Sequence, residues 1–79
     1  MMAKQQRHTH LARATYRTRH SIKRKAAGEH SIPVDDLVRM YAQEWALPIV
    51  DTALLQLEAN RLERSIAARN RRKKQVRKP

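Results

Sequence analysis

Residues 33–57 read PVDDLVRMYAQEWALPIVDTALLQL, and this stretch decides the fold. Its first half places apolar residues at positions i, i+3, i+4, i+7, i+8 and i+11, which form one stripe of an α-helix. These residues are Val34, Leu37, Val38, Tyr41, Ala42 and Trp45. Pro33 is predicted at the first helical position, where a missing N–H costs nothing, with Ser31 or Ile32 as the cap. Asp35 and Asp36 then fall in the first turn, where carboxylates favour the positive end of the helix dipole.

Pro48 divides the stretch into two helices. A proline removes a hydrogen bond from a continuing helix and biases the preceding residue away from helical geometry. The first helix is therefore predicted to end near Ala46, and the second to begin around Ile49 and run to about residue 74. The apolar stripe of the second helix is predicted to comprise Val50, Ala53, Leu54 and Leu57, with Leu62 and Ile66 as its extension. The residues predicted to form the core or a dimer interface are Leu37, Tyr41, Trp45, Val50, Leu54 and Leu57.

The N-terminal third has a weaker pattern. A helix is predicted to begin at Leu11 with Thr9 as its cap, and Gly28, the only glycine, is placed to end it. The predicted fold is all-α: a small three-helix domain with a central helical hairpin and basic, partly disordered termini. The predicted parts are a basic N-terminal arm or helix (1–30), a helical core (31–66) and a basic C-terminal tail (67–79).

The basic residues are concentrated in two segments. The chain has 18 Lys and Arg against 7 Asp and Glu, a net charge of +11. Residues 1–30 contain one acid, Glu29, and residues 61–79 contain one, Glu63, whereas the other five acids lie between these segments. Charges that merely solubilise helix surfaces are usually mixed in sign, so two segments poor in acid predict contact with a polyanion.

Guanidinium groups bind phosphate oxygens bidentately, and each such contact releases condensed counterions. The predicted nucleic-acid-binding residues are Arg7, Arg13, Arg17, Arg19, Lys23, Arg24, Lys25, Arg64, Arg69, Arg71, Arg72, Lys73 and Lys74. Tyr16 lies among these arginines and is a candidate for stacking on a base, the alternative being packing on its own domain. The predicted partner is nucleic acid, DNA in preference to RNA.

The two helices and the tight break at Ala46–Pro48 resemble a helix-turn-helix unit, whose second helix enters the major groove. In a register that starts at Val38, Ala46 replaces the usual turn glycine. The residues that then fall at apolar positions of the family are Tyr41, Trp45, Leu47 and Leu55. The same register turns towards DNA four residues without donors for base edges: Ile49, Val50, Leu54 and Leu57.

A second register is similar to the recognition helix of winged-helix proteins over residues 53–62. This resemblance implies a hairpin wing over residues 64–76, although Asn60 and Arg61 stand where those families prefer glycine. In this register only Gln56 has the chemistry of a base reader. The remaining alternative is a plain helical hairpin used for packing or dimerisation.

Other function classes have little support in the sequence. There is no cysteine, and His8, His10, His20 and His30 are not spaced as metal ligands on one helical face. No glycine-rich phosphate loop or nucleophile–base pair is visible, and no apolar run reaches the roughly 18 residues of a membrane span. We therefore predict no enzymatic activity, no cofactor, no metal and no membrane contact. The predicted location is the cytoplasm or the nucleoid.

Three interpretations of function stay open. The leading one is a small DNA-binding protein, acting as a regulator of transcription or an accessory factor. The second is an RNA-binding or ribosome-associated protein, and the third is an interaction module or inhibitor that binds an acidic protein surface. A homodimer or a larger protein assembly is compatible with each.

Overall fold

A computed structural model describes the backbone of residues 2–77 and the side chains of residues 10–72. The chain forms three helices: α1 (Met2–Ala26), α2 (Val34–Glu44) and α3 (Ile49–Arg77). Each helix contacts the other two, and no strand occurs between residues 2 and 77. The prediction of a small all-α domain with three helices is confirmed. None of the helices in this part of the chain is long and apolar enough to cross a membrane.

The helices run up, down and up. At one end of the molecule, Ile22 of α1, Val34 of α2 and Ile66 of α3 line a common groove. At the other end, Trp45 after α2 lies against His10 of α1, with the ring centroids 5.7 Å apart. Consequently α1 and α3 run in the same direction, and α2 runs against both.

The core is small and takes residues from every helix. Its buried apolar residues are Ala14, Ile22, Val34, Leu37, Val38, Ala42, Leu55, Ala59 and Leu62. Packed against them are the partly buried residues Leu11, Tyr41, Trp45, Leu47 and Ile66. The predicted stripe of α2 is therefore confirmed, with Tyr41 and Trp45 at its edge.

The inner face of α1 is built from small residues. Ala14, Thr18 and Ile22 follow one another at i, i+4 and i+8 and are 0–3% exposed. Because Ala14 and Thr18 are small, this face does not stand out as an apolar stripe in the sequence. The prediction that Thr9 caps the helix is wrong, because the helix already includes Met2. The residues before Thr9 are mostly good helix formers, and nothing among them stops the helix.

α1 and α2 end in the same way. The N–H of Gly28 donates to the carbonyl of Lys25 and that of Glu29 to the carbonyl of Arg24, both at 3.0 Å. This pattern is a Schellman motif with Gly28 at φ +86°, so the predicted end of α1 is confirmed.

At the end of α2, Ala46 donates to the carbonyl of Gln43 at 3.1 Å and Leu47 to that of Ala42 at 2.9 Å. Ala46 takes the place of the glycine, with φ +49°. α2 begins at Val34, so Pro33 is its N-cap and not its first residue, and the prediction that Ser31 or Ile32 is the cap is wrong. The carbonyl of Pro33 accepts the N–H groups of Asp36 and Leu37.

The predicted stripe of α3 is wrong as a description of the core except at Leu62, which is buried as predicted. Val50, Leu54 and Leu57 are 66%, 46% and 63% exposed, whereas Leu55 and Ala59 are 1% exposed. The first turns of α3 are apolar on two faces, so helical periodicity fits either. The interpretation of Val50, Leu54 and Leu57 as core residues is therefore corrected, and their interpretation as dimer residues stays a prediction.

The winged-helix register is wrong as well. α3 continues without a break from Ile49 to Arg77, so residues 64–76 form a helix and not a hairpin. No glycine or proline interrupts this segment, and its arginines, lysines and alanines are good helix formers.

The loop between α1 and α2 is fixed by His30. Its Nδ1 accepts the N–H of Ile32 at 3.2 Å, so the ring proton is on Nε2, which donates to the carbonyl of Ser21 at 2.9 Å. The hydroxyl groups of Ser21 and Tyr41 are also 2.9 Å apart. These bonds hold the second half of α1 against α2.

Candidate nucleic-acid interface

The side of α1 opposite the core carries basic and aromatic side chains. We call it the α1 outer face; its exposed residues are Arg13, Tyr16, Arg17, His20, Lys23 and Arg24. They recur at i, i+3, i+4, i+7, i+10 and i+11, so they share one side of the helix. Burial of Ala14, Thr18 and Ile22 turns this side towards solvent.

The positive charge of the α1 outer face is largely uncompensated. α1 contains no Asp or Glu from Met2 to Ala26. Among the side chains of residues 10–72 there are three ion pairs: Arg24–Glu29, Arg39–Asp36 and Arg61–Glu58. Only the first involves the α1 outer face, with Nε and Oε1 2.9 Å apart. Arg13, Arg17 and Lys23 therefore meet solvent without an acidic partner among these side chains.

The helix dipole explains only some of these charges. Lys23, Arg24 and Lys25 lie in the last turn of α1, where cations stabilise the negative helix end. Arg13 and Arg17 lie two or more turns before that end, and the effect of the dipole falls off within one turn. Their positions therefore need another explanation.

Arg13 lies at a corner where α1 meets the end of α2. Its guanidinium carbon is 5.8 Å from the ring centroid of Trp45, a cation–π contact. Arg13, Tyr16, Arg17 and Trp45, together with Ala12, line a cavity of about 420 Å³. The corner thus presents two guanidinium groups beside two aromatic rings, a combination that suits a phosphate and the face of a base.

Tyr16 and His20 place aromatic rings between the basic residues of the α1 outer face. Their ring centroids are 6.2 Å apart and the rings are 4° from parallel. Tyr16 is 70% exposed, so the prediction that it packs on its own domain does not describe its ring. Its stacking on a base stays a prediction.

The second basic segment lies on α3. Arg64, Arg69, Arg71 and Arg72 are exposed. Lys25, in the last turn of α1, lines a groove with Glu63 and Asn70 of α3. The last turn of α1 therefore lies beside α3 just before its most basic stretch, so the two basic segments meet at one end of the molecule.

The remaining predicted residues are less accessible or lie outside the described side chains. Arg19 and Lys25 are half-buried. Arg7, Lys73 and Lys74 fall outside the range of side chains that the structure describes.

Most of the acids lie away from the α1 outer face, on α2 and α3. Asp35 lines an open groove of about 800 Å³ between these two helices. Its carboxylate accepts a hydrogen bond from the side-chain amide of Gln56 at 3.1 Å, and the same amide donates to Asn60 at 3.0 Å. Charge is therefore segregated: basic residues are concentrated on α1 and on α3 beyond Glu63, whereas most acids lie on α2 and in the first half of α3.

The outward side of α3 has the opposite chemistry. We call it the α3 outer face; it comprises Ile49, Val50, Ala53, Leu54 and Leu57, all exposed. Leu55 points inward, as the first helix-turn-helix register requires, so the face that this register presents to DNA is apolar. It offers no side-chain donor or acceptor to base edges. The helix-turn-helix detail is not confirmed.

His20 belongs to the α1 outer face, and His10 contacts Trp45 next to it; neither is among the predicted binding residues. The sequence does contain a signal for His20, because helical spacing places it on the same side of α1 as Arg17 and Arg24. No signal in the sequence joins His10 to Trp45. Among the side chains of residues 10–72, no three His, Asp or Glu residues are grouped so that they could hold a metal ion. Comparison of the chain with known protein families, curated proteins and solved structures found no match.

Proposed function

We propose that this chain is a non-enzymatic protein that binds the phosphate backbone of duplex DNA through the α1 outer face. The observation that carries the proposal is the row of exposed basic side chains on α1. Arg13, Arg17 and Lys23 share one side of the helix and have no acidic partner among the described side chains. Such a row repels itself in the free protein and is neutralised when it meets phosphates.

The shape of α1 favours duplex DNA over duplex RNA. An α-helix with its side chains is about 10–12 Å across, and the major groove of B-DNA is about 12 Å wide. The major groove of A-form RNA is deep and narrow, and side chains cannot read it. A basic helix of 25 residues therefore has a place to bind on DNA that duplex RNA does not offer.

The proposed contacts supply affinity more than sequence choice. Phosphate contacts position a protein on the duplex, whereas base edges specify the sequence. The α3 outer face lacks base-reading groups, so the helix-turn-helix mode does not supply that specificity. Exposed Arg69, Arg71 and Arg72 extend the basic surface beyond the last turn of α1. An accessory factor that coats or bends DNA fits these properties better than a regulator specific for one sequence.

A salt titration of binding tests the proposal. With full-length protein and a labelled duplex, fluorescence anisotropy gives the affinity at each salt concentration. If about six phosphates are neutralised, log affinity falls against log salt with a slope near −5. The double variant Arg13→Ala/Arg17→Ala is expected to reduce the magnitude of this slope by about 2, since each base accounts for about 0.9.

The matched control is the double variant Arg39→Ala/Arg61→Ala, which removes the same charge from bases that already form ion pairs elsewhere. It is expected to leave the slope nearly unchanged. Trp45, the only tryptophan, gives an independent signal, because Arg13 lies over its ring. Absence of binding at low salt by folded protein contradicts the proposal, and preference for a structured RNA competitor replaces DNA with RNA.

A further inference from the structure

We propose that the α3 outer face binds the same face of a second copy of the chain, with the two α3 helices antiparallel. Nucleic-acid binding leaves this surface unused. Ile49 is 89% exposed, and Val50, Leu57 and Leu54 follow at 66%, 63% and 46%. Residues of these types are among those most often buried in proteins, so their exposure on one side of one helix is unusual.

The size of the face fits one side of a small dimer. Ile49, Val50, Leu54 and Leu57 are 46–89% exposed, so together they form an apolar patch on the order of the 300–600 Å² of the largest patches on monomers, which are often functional. A specific interface of standard size buries about 800 Å² per partner; at the roughly 65% apolar share of homodimer interfaces this is about 500 Å² of apolar surface. The face therefore supplies nearly the apolar share of such an interface, and a reversible dimer is expected.

The order of residues along the face is self-complementary. A two-fold axis between Ala53 and Leu54 places Val50 of one copy opposite Leu57 of the other. The same rotation places Ala53 opposite Leu54, so these four apolar positions meet one another, whereas Ile49 falls opposite the half-buried Glu58 at the edge of the contact. The small Ala53 next to the axis lets the helices approach closely. The outer face carries no charge between Ile49 and Leu57, so the centre of the contact buries no ion.

The basic residues that follow this face along α3 favour antiparallel over parallel helices in the dimer. Arg61 and Arg64 continue the outward side of α3 immediately after Leu57. Parallel helices would hold each arginine beside its counterpart in the other copy. Antiparallel helices separate the two Arg61 residues by roughly 22 Å along the axis, given a rise of about 1.5 Å per residue. This separation exceeds two Debye lengths, which are about 8 Å each at physiological salt.

Salt is expected to act on self-association and on DNA binding in opposite directions. Each copy carries a net charge of +11, so two copies repel each other. Added salt screens this repulsion and leaves the apolar contact intact. Self-association therefore strengthens as salt rises, whereas binding to phosphates weakens. Because of this opposition, failure of one proposal can be distinguished from failure of the other.

The test is sedimentation equilibrium of the full chain, freed of nucleic acid by nuclease and high salt. We expect the mass to rise from 9.3 kDa towards twice that value as protein concentration and salt increase. Leu57→Glu is expected to weaken self-association at least tenfold. The control Met40→Glu adds the same charge at an apolar residue of α2 that is 49% exposed, and is expected to retain the dimer. Far-ultraviolet circular dichroism verifies that each variant is folded.

A charge exchange tests the orientation. In the double variant Val50→Lys/Leu57→Glu, antiparallel helices place lysine opposite glutamate twice, so we expect it to associate more tightly than either single variant. Parallel helices would place like charges together and would give the reverse. A wild-type chain that stays monomeric at high salt overturns the proposal. So does a Leu57→Glu variant that dimerises like wild type, or a double variant no better than the single ones.

Discussion

The outer faces of α1 and α3 are both left without a partner inside the molecule, but they have opposite chemistry. The α1 outer face carries bases among exposed rings, and the α3 outer face carries aliphatic side chains. The inner faces, by contrast, are alike: Ala14 and Ile22 on α1 resemble Ala59 and Leu55 on α3 in size and burial. The fold therefore constrains only one side of each helix.

This difference indicates what each outer face is suited to bind. An exposed leucine adds little to the stability of the monomer, and a row of bases without acids opposes compaction. Neither face is explained by folding alone. On our proposals, phosphates compensate the first face and a second apolar surface compensates the other. Variants that change one face, or its inner counterpart, at a time separate the two.

The largest effect is expected at Leu55, on the inner face of α3. Leu55 is 1% exposed, so Leu55→Ala should cost about 2–5 kcal/mol through lost burial and a cavity. A domain of this size has a total stability of only about 4–12 kcal/mol. The neighbouring change Leu54→Ala, on the α3 outer face, should cost less than about 1 kcal/mol.

Urea unfolding, followed by circular dichroism at low protein concentration, measures both free energies of unfolding. Low concentration keeps the chain monomeric, so any contribution of Leu54 to a dimer does not enter. Equal losses for Leu54→Ala and Leu55→Ala would show that the inner and outer faces of α3 have been assigned incorrectly.

The next largest effect is expected when glutamine replaces one residue of each outer face. Arg17→Gln removes a base from α1 and is expected to lower DNA affinity about tenfold, or about 1.4 kcal/mol. It should leave self-association intact, because Arg17 lies outside the α3 outer face. Leu57→Gln should weaken self-association and leave the affinity of a single copy for DNA unchanged. Anisotropy and sedimentation on both variants give the four values, and a variant that impairs both activities contradicts the separation of the two faces.

The sequence was sufficient where structure depends on near neighbours. Pro48 and Gly28 act within a few residues, and the helix boundaries next to them were predicted correctly or nearly so. The stripe of α2 was also predictable, because only one of its faces is apolar. The basic residues of the candidate interface were predictable because the charge is segregated along the chain.

The sequence was insufficient where two faces compete or where distant segments meet. α3 begins with two apolar faces, and burial in the core that α3 shares with α1 and α2 selects Leu55. The small side chains of Ala14 and Thr18 give that core no visible stripe on α1. The contact of Arg13 with Trp45 joins residues from α1 and from the end of α2. No local pattern encodes it, since it depends on the angle at which the two helices pack.

A smaller effect is expected from removing the hydroxyl of a tyrosine. Tyr41 has a half-buried hydroxyl, and Tyr16, on the α1 outer face, serves for comparison. The hydroxyl of Tyr41 is 2.9 Å from that of Ser21, in a partly buried contact between α1 and α2. Tyr41→Phe should therefore cost about 1 kcal/mol of unfolding free energy. Tyr16 is 70% exposed, and Tyr16→Phe should have almost no effect on stability. Thermal unfolding of both variants measures the difference, and similar melting temperatures would argue against the Ser21–Tyr41 bond.

The smallest effect, and one of opposite sign, is expected in the turn that orients α3. Ala46 has φ +49°, a left-handed conformation that costs a non-glycine residue about 1–2 kcal/mol. Ala46→Gly removes this strain but increases the conformational entropy of the unfolded chain, which costs about 0.4–1 kcal/mol. The net expectation is a stabilisation of about 0.5 kcal/mol, the remainder of these two terms.

Ala53→Gly is the matched control, because it makes the same chemical change inside α3 on its outer face. There glycine should destabilise the helix by about 1 kcal/mol, so the two variants should shift the melting temperature in opposite directions. The Ala46 turn, closed by the bond from Leu47 to the carbonyl of Ala42, determines how α3 is rotated as it begins. If Ala46→Gly destabilised the protein as Ala53→Gly does, the turn would not be left-handed in solution. The assignment of Leu55 inward and Leu57 outward would then lose its structural basis.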